Sequence, residues 1–409
     1  MHAIQKAATC DQAALGNSIP LRYGPEAIEN LAKSFGKPLL CANLLNREGD
    51  LLAGLLPYKI LEVGNLKIGV IGMTDPIPAY ASAYKLKPMN PQLIMPGVIE
   101  EVRSAGAKTV IVLSHLNSTN DIQLAETIDG IDLILSAHDH KQITPPLQVN
   151  GTIIAEAGQY GEVLGRIDLI LDESTGKVIE YRGELIPVND QIPMDDEFQV
   201  AVKIEQEKVN ERMSVEIGEL LQPLECNSDQ QCAAGNLLAD SLLEYVKNAK
   251  VAIVINGHWT NGLKKGKILK RDLYSANRST GNPAFIMLKV KQIQQFLKAA
   301  IKPENYAKTT RSQRGIPFGW PHVAGMTVLV DSKNPDQLEI QVDGRTLNPE
   351  EDVMTAASDM EFSEILGYLP IDDDKIEYEV PTILPEIVEV YLEKHTPLEP
   401  DTGDRIQFI

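Results

Sequence analysis

The stretch IDGIDLILSAHDHKQITPP, residues 128–146, joins an apolar strand to a pair of histidines. Residues 131–135 form a short apolar run, and His138 and His140 follow it with one residue between them. Short apolar runs bounded by turn residues are typical of buried strands. Histidine is a common metal ligand, but it is also a common loop residue. The stretch alone therefore leaves a metal site and an ordinary loop about equally open.

Similar apolar runs recur through the first half of the 409-residue chain, and helical patterns separate them. The predicted strands are KPLLCANLL (37–45), LKIGVIGMTD (66–75) and AKTVIVLSHL (107–116), and the predicted helices are GPEAIENLAKSFG (24–36) and PQLIMPGVIEEVRSAGA (91–107). Buried strands that alternate with helices predict a layered α/β core. Residues 150–160 and 164–188 alternate apolar and polar residues, as a strand and a hairpin do, and the hairpin pattern predicts a second, more antiparallel sheet.

Residues 195–215 carry many charges, have apolar residues at helical spacing and contain no glycine or proline. This pattern predicts an exposed linking helix. After it, the alternation of helices and strands restarts, which predicts a second α/β domain. We therefore predict one domain over residues 1–194, a linker helix over 195–215 and a second domain over 216–409.

Composition excludes some classes of partner. The formal net charge of −19 argues against nucleic-acid binding, because phosphate contacts need clustered Lys and Arg. No apolar run reaches the length of about 18 residues that a membrane span needs, and the first residues lack the pattern of a signal peptide. Cys226 and Cys232 are spaced to close a small loop in an oxidising compartment, but free thiols explain them equally well. The compartment and the oligomeric state are left open.

Other polar residues follow the neighbouring strands. His115 ends the run at 107–116, and Asn17 follows another short apolar run near the start of the chain. In α/β layers the side chains beyond the carboxyl ends of adjacent strands meet at one edge, where such folds bind ligands. Each residue alone is more often an ordinary loop or turn residue. Together with His138 and His140 they favour a metal site, and mixed N and O donors suit Zn, Mn, Fe, Ni or Co better than Ca.

These segments resemble, in order and spacing, the calcineurin-like metallophosphoesterase domain of the 5′-nucleotidase family. The segments that carry the likeness are GN…YGPEAI…LCANLL, LKIGVIGMTDP, VIVLSHLNSTNDIQLAETIDGIDLILSAHDH and NGTIIAEAGQYGEVLGRIDL. In the second half, AAGNLLADSLLEY and VAIVINGHWTNGLKKGKILKRDL resemble the C-terminal domain of that family. The resemblance implies a four-layer α/β/β/α domain with two divalent metal ions (Zn, Mn, Co or similar), joined by a linker helix to a second α/β domain that binds substrate.

The resemblance also implies roles for individual residues. Asn17 matches the metal-binding Asn of the GNH motif of the family, and His115 and His138 match the two histidines of the second metal. His140 matches a ligand of the first metal. The implied activity is metal-dependent hydrolysis of a phosphoric ester, with nucleotides or a related small phosphoester as substrate.

The chain departs from the family pattern at its start. The Asp-x-His strand and the Gly-Asp of the family are not in the sequence, which begins with HAIQKAA (2–8), a segment with a helical pattern. Ser18, in GNSIPLRYG, stands where the family has a catalytic histidine, and serine cannot act as a general acid near neutral pH. A two-metal site without its bridging carboxylate should bind metal weakly. A longer native N-terminus that carries the missing ligands would restore the enzyme.

The second half departs from the family as well. The Asn-x-Gly-Gly-x-Arg motif appears as NGHWTNG without its arginine, and the Gly-Gly-Asp loop appears as SDMEFSEILGYLP without its glycines. Asn256, Phe318 and Phe362 are the candidate substrate-binding residues, with Trp320 as a further aromatic partner. Stacking on a base contributes about 1–3 kcal/mol per ring, but aromatic residues in such places more often pack in the core.

Two functions follow as expectations. The first is a phosphoric ester hydrolase with Asn17, His115, His138 and His140 as metal ligands. The alternative is a catalytically impaired pseudoenzyme that keeps the fold and binds a ligand or a partial metal site; an acidic structural protein with incidental histidines is a remote third reading. Members of the family are often exported to the periplasm or the cell exterior, although no signal-peptide pattern is present here.

Overall fold

The computed structural model describes residues 10–309, 316–363, 366–369, 371–372 and 375–409. The chain divides into two compact units, Met1–Glu205 and Gln206–Ile409, and the division falls within the helix Asp196–Met213. The domain limits predicted from the sequence stay predictions. The helix predicted for HAIQKAA lies outside the described residues.

The first unit is built on a six-stranded sheet. Its strands are β1 Leu39–Leu40, β2 Leu44–Leu45, β3 Leu55–Leu56, β4 Tyr58–Val63, β5 Leu66–Thr74, β6 Lys87–Pro88, β7 Thr109–His115, β8 Leu133–Ser136, β9 Leu147–Val149, β10 Thr152–Glu156, β11 Val163–Leu171 and β12 Val178–Pro187. The large sheet has the order β4-β5-β7-β8-β10-β9, and β5, β7, β8 and β10 run parallel. The hairpin β11–β12 forms an antiparallel sheet of its own, as predicted for residues 164–188.

From residue 10 onward, five helices accompany these strands before the linking helix: α1 Ser18–Tyr23, α2 Glu26–Phe35, α3 Ala79–Tyr84, α4 Pro91–Ser104 and α5 Ser118–Thr127. The start of α4 is encoded locally, because Asn90 accepts a hydrogen bond from the backbone N–H of Gln92 (2.9 Å) and Pro91 occupies the first helical position. Side chains of α4, including Met95 and Val102, pack in one core with Val110 and Val112 of β7. Burying this apolar surface is what holds the helix on the sheet.

One predicted strand is wrong in detail. Residues 37–45 form two short strands, β1 and β2, rather than one. The buried side chain of Asn43 interrupts the run, because its Oδ1 accepts from the N–H of Thr74 (2.9 Å) and its Nδ2 donates to the carbonyl of Thr74 (2.6 Å). Gly72 on β5 is needed beside this segment, since a Cβ there would lie 2.2 Å from the backbone of Leu40.

The carboxyl ends of three parallel strands are in register. Thr74 of β5 pairs with His115 of β7, and Ser114 of β7 pairs with Ser136 of β8. The strands predicted at 66–75, 107–116 and 131–135 are therefore confirmed as neighbours in one sheet. The residues that follow them meet at one edge, as expected for such a sheet.

The described residues of the second unit form three sheets. Its strands are β13 Glu216–Leu220, β14 Val251–Ile255, β15 Gly266–Leu269, β16 Pro283–Lys289, β17 Pro321–Ala324, β18 Thr327–Val330, β19 Leu338–Val342, β20 Arg345–Thr346, β21 Asp352–Ser358, β22 Glu377–Tyr378 and β23 Ile406–Phe408. The central sheet has the order β17-β14-β21-β16-β22; β20-β19-β18-β23 and β13-β15 are the others. Strand β14 is buried along its whole length, with Ile253 packed in one hydrophobic core and Val254 in another.

The remaining helices are α6 Asp196–Met213, α7 Ala233–Tyr245, α8 Lys270–Ala276, α9 Val290–Ala300, α10 Pro303–Tyr306 and α11 Leu384–His395. The predicted helix of the linking segment is confirmed as α6, in which none of the described side chains is buried. No helix in the described part of the chain is long and apolar enough to cross a membrane. The mixed α/β class predicted from the sequence is confirmed, while the full four-layer arrangement of the first domain stays a prediction.

Candidate metal centre

Three of the four predicted ligands lie together at the carboxyl edge of the six-stranded sheet. The side-chain Oδ1 of Asn17 lies 3.1 Å from Nε2 of His115, and its Nδ2 lies 3.3 Å from Nε2 of His138. The two imidazole rings are 4.9 Å apart between centroids. Because Oδ1 can only accept and Nδ2 can only donate, Nε2 of His115 carries a proton and Nε2 of His138 is the acceptor.

The fold positions each of these side chains. His115 is the last residue of β7, and His138 lies two residues beyond β8 in a left-handed conformation (φ 87°). Asn17 precedes α1, and its carbonyl accepts a hydrogen bond from the hydroxyl of the buried Tyr80 (3.3 Å). Gly16 lies against the ring of His115, where a Cβ would be 3.5 Å from a ring carbon.

Asp75 belongs to this group and was missed by the sequence analysis. It follows β5, and its Oδ2 lies 3.6 Å from Nε2 of His138. Burial raises the pKa of the Asp75 carboxyl, an effect that attraction to His138 opposes. The signal was present in the sequence, since LKIGVIGMTD ends in this aspartate as AKTVIVLSHL nearly ends in His115.

A second layer of polar groups fixes the strand ends and the loop that carries His138. Asp121 is fully buried and accepts hydrogen bonds from the hydroxyls of Ser114 (2.5 Å) and Ser136, so that it links β7 to β8. Asp139 accepts from both the backbone N–H (2.9 Å) and the hydroxyl (2.6 Å) of Ser118. Although burial opposes it, these hydrogen bonds lower the pKa of Asp139 and keep it charged. Rigid partners of this kind orient metal ligands.

His140 and Ser18, the other two residues that match positions of the family motifs, do not join the hydrogen bonds between Asn17 and the two imidazoles. His140 is exposed, and among the described residues no hydrogen bond joins its ring to Asn17, His115 or His138, although it is near enough to His115 to lower the pKa of that ring. Its predicted role as a ligand stays a prediction. Ser18 lies beside the group, and its hydroxyl donates to Oδ1 of Asn17 (3.4 Å).

The chemistry of the donors suits a divalent metal ion, but only in part. Burial, together with the neighbouring His138 and His140, lowers the pKa of His115 to about 4, so the ring is neutral near pH 7 as a metal ligand must be. Within the described residues, however, no group of three or more His, Cys, Asp or Glu side chains is arranged to hold a metal. The amide of Asn17 instead joins the two imidazoles by hydrogen bonds. The residues present therefore fit part of the ligand set of one ion rather than a complete two-metal site.

The candidate substrate residues of the second unit are buried. Asn256 begins the turn after β14 and is 2% exposed; its Nδ2 donates to the carbonyl of Asn227, and its Oδ1 has no partner among the described residues. Phe318 (0% exposed) and Phe362 (4%) pack in a hydrophobic core of this unit. Trp320 is partly buried and lies 5.3 Å from the ring of Tyr306. The two phenylalanines thus occupy core positions, and their assignment to substrate stays a prediction.

A buried histidine–carboxylate pair joins the two motifs that depart from the family pattern. His258, in NGHWTNG, is 4% exposed, and Glu361, in SDMEF, is 1% exposed. Nε2 of His258 donates to Oε1 of Glu361 (3.0 Å), and Nδ1 faces the hydroxyl of Ser279 at 2.8 Å. Glu361 also accepts from the backbone N–H groups of Ile255 (2.9 Å) and Ser358 (2.8 Å). Both residues were missed by the sequence analysis, which noted only that the first motif lacks its arginine and the second its glycines.

An α/β unit with Asn and His donors at the carboxyl edge of its sheet, followed by a second α/β unit, is the arrangement that the resemblance to metallophosphoesterases with an added domain implies. Residues 214–360 match a family model described as 5′-nucleotidase, C-terminal domain. A crystal structure of a putative 5′-nucleotidase from Staphylococcus aureus has a similar fold, with a TM-score of 0.74 and 17% identity over 97% of this chain and 83% of that one.

Curated relatives agree with this match. The endonuclease YhcR of Bacillus subtilis (strain 168) is 26% identical over 82% of this chain and 28% of its own length. An uncharacterized metallophosphoesterase of the same organism, YunD, is 25% identical over 83% of this chain and 74% of its own length. The chain thus spans little more than a quarter of the first of these relatives. These comparisons support the resemblance to the 5′-nucleotidase family that the sequence motifs indicated, most directly for residues 214–360.

Proposed function

We propose that this protein is a metal-dependent phosphoric ester hydrolase that acts on nucleotides or a related small phosphoester. The observation that carries the proposal is the meeting of Asn17, His115 and His138 at one sheet edge. Similarity to the family supports the same reaction class, since the relatives include a metallophosphoesterase and an apyrase.

Asn17, His115 and His138 would hold the metal ion, with Asp75 as a further oxygen donor. A bound divalent ion supplies an acidified water and neutralises charge that develops on the phosphoryl oxygens. The chain contributes orientation, because Asn17 holds both imidazoles through one amide. Asp121, through the two serines of β7 and β8, fixes the strand ends from which His115 and His138 extend.

Ser18 limits the substrates that this site can turn over. A hydroxyl cannot donate a proton to a leaving oxygen near neutral pH, whereas an imidazolium can. The leaving group must therefore depart without help from this position. We expect aryl phosphates and nucleoside diphosphates, which release weakly basic groups, to be better substrates than nucleoside monophosphates, which release an alcohol.

The proposal is tested with the purified full chain, Mn²⁺ or Co²⁺, and three substrates: p-nitrophenyl phosphate, ADP and AMP. We expect metal-dependent phosphate release that is lost in His115→Ala and His138→Ala and that is slowest with AMP. Metal content by elemental analysis is measured on the same samples. Absence of metal uptake by the unchanged chain would overturn the proposal, and so would turnover that survives both substitutions.

A second function is favoured by a specific observation. Asn17 joins the two imidazoles in a closed set of hydrogen bonds, and Ser18 replaces the catalytic histidine. A pseudoenzyme that retains the fold and binds a nucleotide or a single metal ion accounts for both features. Metal or ADP binding by calorimetry, without phosphate release from any of the three substrates, would support this function in place of hydrolysis.

A further inference from the structure

Two free thiols of the second unit, Cys226 and Cys232, flank one short loop and pack in the same core. Both sulfur atoms lie around the same two groups: Sγ of Cys232 is 3.6 Å from the carbonyl of Asn227, and Sγ of Cys226 is 3.6 Å from Nδ2 of Asn256, which donates to that carbonyl. Cys226 is partly exposed, and Cys232 is 9% exposed at the start of α7. The residues between them, 227–231, are mostly exposed, so a small solute reaches the loop from solvent. Neither thiol has a part in the proposed hydrolysis.

The position of Cys232 is fixed by its backbone. Its N–H donates to Nε2 of His322 (2.9 Å), and Nδ1 of the same ring lies 3.0 Å from the carbonyl of Trp320. Because a carbonyl can only accept, Nδ1 carries the proton of the ring and Nε2 is free to accept from Cys232. Cys232 is also the N-cap residue of a 13-residue helix, and the N-terminus of a helix stabilises a thiolate.

The position of Cys226 is fixed by the loop on either side. The carbonyl of Glu225 accepts from the N–H of Ala234 (2.9 Å), and the carbonyl of Ser228 accepts from the N–H of Trp320 (2.8 Å). Nδ2 of Asn256 lies 3.6 Å from Sγ of Cys226. These contacts tie the loop to the start of α7 and to the residue before β17, and so keep the two cysteines on one side of the same loop.

We infer that Cys226 and Cys232 form a redox-active dithiol that a peroxide converts into an intramolecular disulfide. In the first step the thiolate of one cysteine attacks a peroxide oxygen, which gives a sulfenic acid and hydroxide, and the hydroxide takes a proton from water or buffer. In the second step the other thiol attacks the sulfenic sulfur, and the hydroxyl leaves as water with the thiol proton. Two thiols and one hydrogen peroxide thus give one disulfide and two waters.

The electrostatics of the pair support the first step. The neighbouring Cys226 thiol lowers the pKa of Cys232, and this outweighs the effect of burial. The same proximity and burial raise the pKa of Cys226, which keeps the second thiol protonated until it attacks. Cys41 in the first unit is the contrasting case, because burial raises the pKa of its thiol to about 12.

Oxidation of the two thiols would change the contacts of Asn256, the candidate substrate residue. Its Nδ2 contacts Sγ of Cys226 and the carbonyl of Asn227, and both groups belong to the segment that the disulfide would close. The dithiol is therefore a device that couples the oxidation state of this loop to the turn after β14. Oxidation of the dithiol needs neither a metal ion nor phosphoester hydrolysis, so this inference can be tested independently of the proposed hydrolysis.

The test uses the full chain, first reduced and then treated with equimolar hydrogen peroxide, followed by alkylation and peptide mass mapping. Trypsin leaves both cysteines in one peptide, residues 213–247, because no Lys or Arg lies between Arg212 and Lys247. We expect this peptide to lose about 2 Da and to resist alkylation, with reversal by dithiothreitol. The exposed Cys10 should be alkylated before and after peroxide.

Three variants complete the design. Cys226→Ser and Cys232→Ser should each abolish the mass loss, and Cys10→Ser should leave it unchanged. Cys226 is partly exposed, so its replacement tests the inference even if Cys232→Ser fails to fold. Full alkylation of both cysteines in the 213–247 peptide after peroxide would overturn the inference. Oxidation of either cysteine to a sulfinic acid without a cross-link would overturn it as well.

Discussion

The side-chain oxygen of Asn17 lies 3.1 Å from Nε2 of His115, although 98 positions separate the two residues in the chain. The nitrogen of the same amide faces His138, so one side chain orients two imidazoles that end neighbouring strands. A metal ion bound by these nitrogens would replace the two hydrogen bonds, and Nε2 of His115 would first have to give up its proton. This relationship is the basis of the first two predictions.

Replacement of His115 or His138 by Ala should lower the affinity for Mn²⁺ by at least about 10- to 100-fold, the loss that is typical even of partners that only support a ligand. The physical reason is that each variant removes one nitrogen donor from a small set. Calorimetric titration of the purified chain with Mn²⁺ measures the effect. His395→Ala is the control, because His395 pairs with Glu244 (2.7 Å) in the second unit; equal losses in all three variants would contradict the prediction.

Replacement of Asp75 by Asn should weaken Mn²⁺ binding by about 10- to 100-fold while leaving the fold intact. The carboxylate lies 3.6 Å from the ring of His138, where it acts either as an oxygen donor or as the group that orients the ring. The same calorimetric titration measures the affinity, and circular dichroism checks the fold. Asp129→Asn, at an exposed position before β8, is the matched control. Unchanged affinity in Asp75→Asn would remove this residue from the site.

Much of the first unit could be predicted from the sequence, because its parallel strands are runs of Val, Ile and Leu. Val110 and Val112 of β7, for example, are both fully buried. The prediction failed at residues 37–45, where Asn43 bonds to the backbone of Thr74, 31 positions away. A contact between distant segments leaves no trace in local periodicity, so a continuous strand was predicted where the chain has two short ones.

The candidate metal centre could likewise be predicted only in part from the sequence. Asn17, His115 and His138 follow apolar runs or carry a motif, and the structure brings them together. Asp75 follows a strand too, and the same reasoning would have included it. The pair of His258 and Glu361 could not have been found, since the two residues are 103 positions apart and sit in turns without periodic pattern.

Replacement of Asp121 by Asn should change the pH dependence of stability. Burial raises the pKa of Asp121 from 3.8 to about 6, an effect that hydrogen bonds from Ser114 and Ser136 oppose. Because the folded state then holds the proton more tightly than the unfolded chain, Asp121 costs stability as the pH rises from 3.8 to about 6, by about 1.4 kcal/mol per pKa unit. Asn cannot ionise, and its amide can still bond to both serine hydroxyls.

Relative to the unchanged chain, Asp121→Asn should therefore gain stability between pH 4 and pH 7. Urea unfolding at several pH values measures the difference in the free energy of unfolding. Glu126→Gln, at an exposed position on the same helix, should show a difference that does not vary with pH. A pH-independent difference for Asp121→Asn would show that this carboxyl is already ionised below pH 4 in the folded chain.

Replacement of Glu361 by Gln should destabilise the second unit by about 3 kcal/mol, the lower end of the cost of breaking a buried charged pair. Oε2 of Glu361 accepts from the backbone N–H and the hydroxyl of Ser358, so an amide nitrogen there would face two donors. Burial opposes ionisation of Glu361, but attraction to His258 and these hydrogen bonds outweigh it and lower its pKa below 4.5. The stability that the pair supplies is therefore complete above pH 4.5 and is lost as the pH falls below that value.

Urea unfolding near pH 7 compares Glu361→Gln with Glu350→Gln, which removes an exposed partner of Lys291 (2.9 Å) and should leave the free energy of unfolding almost unchanged. His258→Gln provides the reciprocal test, because it leaves the carboxylate of Glu361 buried without its ring partner. The double variant should cost less than the sum of the two single changes, since removing both partners leaves no unpaired buried charge. Additive losses would mean that His258 and Glu361 do not depend on each other, and the two motifs would then be joined by packing rather than by this pair.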